Sequence, residues 1–489
     1  MEQNNNIGKN RSVVVVGAGL GGIAAALGLR LQGFNVQVWD RNQTGGGKLQ
    51  EWRNEGYRWD LGPSLLTMPS VLKDWFELAN RKIEDYLTLI PLENTCRYFW
   101  QDGKIVDEDE AFWKKPEIQA FLRHGEGVYS LSGKAYLHYP PSEFWKAFHW
   151  KNWRDLKHLP QLMSFKTLSQ LVEEKINDPY LIQILCRYAT YNGSSPYLTP
   201  STFSIIPYVE AHFGGWYIKG GMRKLAEVFE KIAKEEGVEF HYEQEAISYQ
   251  NRTLRSRQGL EVSPDLLVCN GEVIRAANQW LSENYTEKEK AKLNAPTLSS
   301  SGFIILLAVR GENRQLKHHN ISFSQDYRDE FKSIFERKEL PVDPTIYIAI
   351  TKRKEIEDAP DGGENWFVLV NAPSKTDFSE GELVAYREKV IQELRRRSLL
   401  LSEQSVEYKR HIHAGELAQR DYSSSGALYG WASHTILSSL FRPKIKHPRE
   451  EIYFVGGSTH PGGGIPLILL SAKMICEKIF KKFFIGKIE

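Results

Sequence analysis

Short apolar runs and longer amphipathic stretches alternate along the chain, and their order predicts an α/β protein. Residues 13–16 (VVVV) read as a buried parallel strand. Residues 23–32 carry helical spacing and stop at Gly33, and residues 34–39 return to a strand pattern that ends on Asp40. GGWYIKGGMRKLAEVFEKIAKEEGVEFHY predicts a turn at Gly220 and Gly221, a helix through Lys234 and a strand after Gly237. PDLLVCNGEV predicts a short buried strand running into a loop at Asn270 and Gly271. Between Ala276 and Ala414, the strand-like runs GFIILLAVRG, PTIYIAIT and NWFVLVNAP alternate with charged helical stretches such as EGELVAYREKVIQELRRRSLL. From Val71 to Tyr208 the pattern is mostly helical and aromatic. The last unit, EIYFVGGSTHPGGGIPLILLSAKMICEKIF, reads as strand, glycine loop and helix.

A chain of 489 residues is too long for one core, so two or three interleaved domains are expected. Its 63 basic and 61 acidic residues nearly cancel, which argues against a nucleic-acid partner. Cys96, Cys186, Cys269 and Cys476 form no C-x-x-C pair and read as buried free thiols of a reducing compartment. No HxxxH or clustered carboxylate pattern marks a metal site. The opening MEQNNNIGKNRS has no apolar stretch, so no secretory signal and a cytoplasmic location are expected. No run of about 18 apolar residues predicts a spanning helix. In FWKAFHWKNWRDLKHL (residues 144–159), however, Trp145, Trp150 and Trp153 interleave with lysines and arginine. That composition suits either the headgroup region of a membrane or an amphipathic helix packed on its own domain. The aromatic and basic end, KIFKKFFIGKIE, reads rather as a frayed helix terminus.

Gly17, Gly19 and Gly22 form a G-x-G-x-x-G loop between the first strand and the first helix. There Gly17 allows a tight turn, Gly19 lets backbone amides reach a pyrophosphate, and Gly22 brings helix and sheet together. Phosphates suit a helix N-terminus, and Asp40, about 20 residues on, suits ribose hydroxyls. The loop alone does not separate FAD from NAD. The final strand-loop-helix unit favours FAD, because a flavin dinucleotide needs a second contact far from its pyrophosphate. The helix after Pro466 could also stabilise negative charge on a reduced flavin.

With these residues the chain resembles the bacterial carotenoid desaturases, the phytoene-desaturase-like branch of FAD oxidoreductases. The likeness runs through most of the length. It is strongest at the opening glycine loop, GGGKLQ, GYRWDLGPSLLTMPSVL, RYATYNGSSPYLTPSTFSIIPYVE, GGWYIKGGMRKLAEV and FVGGSTHPGGGIPLILLSAK. DLGPSLLTMP, LKHHNISFSQDYRDEF and DAPDGGENWFVLVNAP look most like the branch of 1-hydroxycarotenoid 3,4-desaturases. The resemblance implies Gly17, Gly19 and Gly22 along the pyrophosphate, and Asp40 and Arg41 at the adenosine ribose. It implies Gly46, Gly47 and Lys48 near the phosphates and ribityl chain, and Asp60, Gly62 and Pro63 near the flavin ring. Ala246 would meet the adenine through its backbone, and Gly456, Gly457, Gly464, Ile465 and Pro466 would border the ribityl chain and isoalloxazine. Gly457 departs from many flavoenzymes of this fold, which carry an acidic residue there.

The fold expected is a Rossmann-type FAD-binding domain of discontinuous segments (1–90, 220–275 and 415–489). A mixed-sheet substrate domain (276–414) and a helical, membrane-contacting region (91–219) complete it. The expected activity is hydride transfer from a carotenoid to flavin, probed against alternatives of phytoene desaturation, terminal-methyl oxidation, polyene isomerisation, amine oxidation and a non-enzymatic lipid carrier. The carotenoid would be drawn from the inner face of the cell membrane, where the protein sits peripherally, and electrons would pass to oxygen or a quinone. Tyr188, Tyr191, Tyr197, Phe203 and Tyr208 are candidates for an apolar tunnel, each also explicable as core. His318 and His460 are weak candidates for acid, base or hydroxyl contacts. Adjacent His318 and His319 would face opposite sides of a strand and could not share one site.

Overall fold

The computed structural model describes residues 11–133, 137, 139 and 165–484. Five parallel strands, drawn from sequence positions far apart, form its first sheet. Their spatial order is Ile452–Phe454, Leu266–Cys269, Ser12–Val16, Asn35–Trp39 and Glu239–His241. Parallel strands buried on both faces need continuous apolar runs, which is why VVVV and LLVC stand here. The first helix, Leu20–Leu31, starts three residues before the expected boundary and takes Gly21 and Gly22 into its first turn. Gly33 ends it at φ +91°. Against this helix pack Arg223–Glu235 and the long terminal helix Ile465–Phe484. The expected frayed end is instead docked: Phe483 meets Phe34 edge-on, with centroids 6.1 Å apart, and Arg11 lies 4.1 Å from its ring centre.

The second sheet is mixed, in the order Ser405–Ile412, Ser301–Arg310, Gly363–Ala372, Ile346–Ile350, His319–Ser322, Arg97–Phe99 and Ile105–Asp107. Its contacts are antiparallel except between His319–Ser322 and Arg97–Phe99. The last two strands come from a stretch whose pattern predicts helix. The reason is a local hairpin: Gly103 adopts φ +87° in the turn after Asp102, and Trp100 N–H bonds Lys104 O at 3.0 Å. Alternation along each strand divides this sheet's side chains. Phe303, Ile305, Leu307, Trp366, Val368 and Val370 pack on the side covered by Glu380–Arg396, while Ile304, Phe367 and Leu369 face the other way. That second face looks toward the carboxyl ends of the parallel strands. Ligands bind there in open α/β sheets. No helix among the described residues is long and apolar enough to cross a membrane. Residues 144–159, read as a candidate membrane contact, lie outside the described residues.

Candidate active site

A continuous cavity of ≈ 530 Å³ joins the carboxyl ends of the parallel strands to the inner face of the mixed sheet. Its first half is built from main chain. Gly17 N–H donates to Trp39 O at 2.7 Å, which folds the loop back over the sheet. Gly19 caps the first helix without a side-chain hydrogen bond, so the first-turn amides stay available to a ligand. A Cβ on Gly22 would stand 2.0 Å from Gly17 O, so only glycine permits this approach of helix to strand. Gly46 N–H donates to Ala18 O at 2.8 Å and lays the second glycine loop beside the first.

Gly17, Gly19, Asp40, Arg41, Gly46, Gly47, Lys48, Gly62, Pro63, Ala246, Gly456, Gly457, Gly464 and Ile465 all line this cavity. Asp40 accepts hydrogen bonds from Ala18 N–H at 2.6 Å and Asn42 N–H at 2.8 Å, and burial raises its carboxyl above the usual range. Arg41 donates to the carbonyls of Gln419 and Arg420, the latter at 3.1 Å. Lys48 Nζ donates to Leu428 O at 2.6 Å, and burial lowers its pKa despite the pull of Asp421 and Glu272. A Cβ on Gly457 would lie 3.3 Å from Gly463 Cα, a close approach of the two glycine turns of the final loop.

Three expected residues stand elsewhere. Gly22 lies under the loop, and Pro466 sits in the first turn behind Ile465. Asp60 is bound 2.9 Å from Arg58, which also holds Asp358 at 2.6 Å, in a buried network outside the cavity wall. Arg58 and Asp60, two apart on the strand Tyr57–Asp60, necessarily share a face. Sequence reading missed Asn270. Its side chain donates to Val455 O at 3.0 Å and occupies the space that glycines leave: a Cβ on Gly19 would come 2.6 Å from its Oδ1, and one on Gly21 2.9 Å from its Nδ2. The available signal was position, at the end of a parallel strand.

The second half of the cavity is built from side chains. Ile304, Phe367, Leu369, Tyr347, His319 and Ile321 present one sheet face to it. His319 Nδ1 lies 2.8 Å from the Tyr347 hydroxyl, which lies 2.6 Å from Ser64 Oγ. Burial holds the His319 imidazole well below its ordinary pKa, hence neutral. His318 packs edge-on against Tyr217, with centroids 4.9 Å apart, and stays out of the wall. Its ring nevertheless touches that of His319 at 4.3 Å, because the strand begins only at His319. His460 also lies outside the wall and donates from Nε2 to Tyr139 O at 3.0 Å. Of the tunnel tyrosines, Tyr191 lines the cavity. Tyr197, Phe203 and Tyr208 pack at the edge of a helical core, and Tyr188 belongs to a charged cluster.

That cluster contains Glu108, Glu210, Arg187, Tyr98, Tyr188 and Tyr191. Arg187 Nη2 reaches Glu108 Oε2 at 3.2 Å, and the Tyr98 hydroxyl bonds the same carboxyl. The Tyr191 hydroxyl donates to Glu210 at 2.6 Å. The Tyr188 hydroxyl lies 2.7 Å from Glu108 Oε1 and 2.9 Å from Glu210 Oε1. It has one hydrogen, so one carboxyl carries the second. Burial, with the adjacent Glu210 carboxyl, pushes Glu108 well above the carboxylate range. The Arg187 guanidinium faces both carboxyls, 3.2 Å from Glu108 and 4.0 Å from Glu210.

Residues 20–304 match the family of flavin containing amine oxidoreductases. The chain is 33% identical over 488 residues to a 1-hydroxycarotenoid 3,4-desaturase of Flavobacterium sp. (strain P99-3), covering 96% of this chain and 99% of that protein. It is 32% identical to a 4,4'-diapolycopene oxygenase of Methylomonas sp, covering 97% and 99%. It is also 32% identical to a 4,4'-diaponeurosporene oxygenase of Staphylococcus haemolyticus (strain JCSC1435), covering 96% and 97%. An oxidoreductase from Methanosarcina mazei shares the fold at TM-score 0.63 and 16% identity, over 95% of this chain and 100% of that one. Cyclohexylamine oxidase from Brevibacterium oxydans IH-35A does so at 0.58 and 14%, over 96% and 99%. The chain belongs to the bacterial carotenoid desaturase family of flavin-containing oxidoreductases, and its cofactor is FAD.

Proposed function

We propose that the protein introduces a carbon–carbon double bond into a long polyene, by 3,4-desaturation of a 1-hydroxylated carotenoid such as 1'-hydroxy-γ-carotene. The observation that carries this reading is the continuity of the cavity from a main-chain cradle to an apolar sheet face. The cradle fits a dinucleotide: the first-turn amides around Gly19 and the loop of Gly46 and Gly47 take the pyrophosphate, and Asp40 and Ala246 take the adenosine end. Gly456, Gly457, Gly464 and Ile465 border the remainder, with the N-terminus of the terminal helix placed to favour negative charge. FAD, when bound, supplies the two-electron acceptor for hydride. Ile304, Phe367, Leu369 and Ile321 align the polyene and exclude water. Positive charge left at one carbon is delocalised by the polyene, and the neighbouring carbon then gives its hydrogen as a proton to a water molecule while its C–H electron pair forms the new double bond, so the wall needs no strong base.

Terminal-methyl oxidation is a second reading, favoured by oxygenase relatives only one percentage point less identical than the desaturase. Product analysis separates the two. Desaturation removes two hydrogens and adds no oxygen, and incorporation of labelled oxygen from O2 into the polyene would reject it. We also place the protein at the inner membrane face, since the substrate is insoluble and residues 144–159 are aromatic and basic. Replacing Trp145, Trp150 and Trp153 together by serine should weaken liposome binding roughly tenfold without loss of FAD. Unchanged binding would return the segment to the protein's own core.

A further inference from the structure

The sheet end of the cavity carries polar side chains among its apolar ones, and three of them differ from Ser64 and Tyr347, which are hydrogen-bonded. Arg187 Nε, His319 Nε2 and the Tyr327 hydroxyl are buried there without a hydrogen-bond partner among the described residues. Their side chains line the cavity and are 5%, 3% and 6% exposed. Buried polar atoms are seldom left unpaired, because each forfeits its hydration and gains nothing in return. Nor can these atoms swing away to water, since the rest of each side chain is fixed. Arg187 is held by Glu108 and stacked at 4.3 Å over Tyr188. His319 is held at Nδ1 by Tyr347, and Tyr327 is wedged edge-on between Phe323 and Phe331 at 5.6 and 5.0 Å. Arg187 lies 5.3 Å over the ring of Tyr98, which pairs with Ile321 on the strand of His319 and stacks at 5.7 Å on Phe323, the ring that Tyr327 packs against, so the three line one end of the cavity.

Electrostatics selects the ligand. The guanidinium of Arg187 already faces the carboxyls of Glu108 and Glu210, so an anionic end group finds no free counter-charge to offset its desolvation. A neutral hydroxyl suits the three atoms. Arg187 Nε–H can only donate, and the Tyr327 hydroxyl does either. His319 Nε2 donates or accepts according to whether Tyr347 gives its hydrogen to His319 or to Ser64.

We propose that Arg187, His319 and Tyr327 form a subsite for a neutral hydroxyl carried by the polyene substrate, which sets how far the chain advances into the cavity. The subsite rests on the polyene-oxidising reading and adds to it the group that gives end selectivity. The hydroxyl oxygen accepts from Arg187 Nε–H, and its hydrogen goes to His319 Nε2 or Tyr327.

The test titrates the full-length, FAD-loaded protein with γ-carotene and 1'-hydroxy-γ-carotene in liposomes and reads quenching of protein fluorescence. The wild type, Tyr327→Phe and His319→Asn are compared; asparagine keeps a partner for Tyr347 and deletes the Nε2 position. The wild type should bind the hydroxylated polyene roughly tenfold tighter, and each variant should reduce that ratio about threefold or more. Equal wild-type binding of both polyenes, with flavin bleaching by both, overturns the subsite and leaves polyene oxidation standing. Binding of neither overturns both. A preference that survives in both variants overturns the assignment to these residues, and the wild-type arm decides the matter even if a variant fails to fold.

Discussion

At the glycine end of the cavity, side chains withdraw so that main chain can meet a ligand; at the sheet end, side chains from four strands of the mixed sheet make the surface. Gly19, Gly46 and Gly47 present amides and a shape, and the packed side chain behind the loop is Asn270. His319, Tyr347, Phe367 and Ile304 present rings and methyl groups, with the ion-paired cluster of Arg187 behind them. A main-chain cradle serves any chemistry that uses the same cofactor, whereas a side-chain wall can be altered one residue at a time.

The largest effect is expected from breaking the sheet end. Arg187→Met leaves Glu108 and Glu210 buried without their cation, and should cost about 3–5 kcal/mol, read as a fall in melting temperature. A melting temperature within error of the wild type would mean that the cluster already lacks a buried charge. Breaking the glycine end is the smaller perturbation. Gly22→Ala puts a methyl group against Gly17 O, at about 1–3 kcal/mol of overpacking, and should reduce FAD retained through purification roughly tenfold. Full flavin content in that variant would show that helix and strand can part without harm to the cradle.

A pH experiment sharpens the same comparison. Burial lowers the pKa of His318 to about 3 from 6.5, so the unfolded chain binds the proton first as pH falls. Stability from this group is therefore complete above pH 6.5 and lost progressively from there toward about 3. At pH 5 the loss is about 2 kcal/mol, and His318→Phe should remove that much of the acid sensitivity. The raised carboxyl of Glu108 works in the opposite direction, since its protonated native form gains on acidification. The comparison must therefore be between variant and wild type; parallel stability curves between pH 7.5 and 5 would refute the assignment.

The same contrast explains what could be read from the sequence. Gly17, Gly19, Asp40 and the terminal strand-loop-helix were legible because main-chain recognition needs particular residues at fixed local spacing. The Rossmann-type sheet was legible because parallel strands leave continuous apolar runs. The hairpin around Gly103 carried its own turn signal in QDGK, obscured by the aromatic residues flanking it. Asp60 reads with the loop that follows it, and its pairing with Arg58 on the strand leaves no signal beyond their two-residue spacing. Arg187 and Tyr327 left no local signal: one ends a short helix and the other begins one, and packing of those helices against the sheet puts them on the same cavity as His319.

The most direct test of the central claim is anaerobic incubation of FAD-loaded protein with phytoene, γ-carotene and 1'-hydroxy-γ-carotene in liposomes, following flavin absorbance and the polyene spectrum together. Bleaching of the flavin with a red-shifted polyene, strongest for the hydroxylated carotenoid, is the predicted result. A flavin that stays oxidised with all three polyenes would contradict the account.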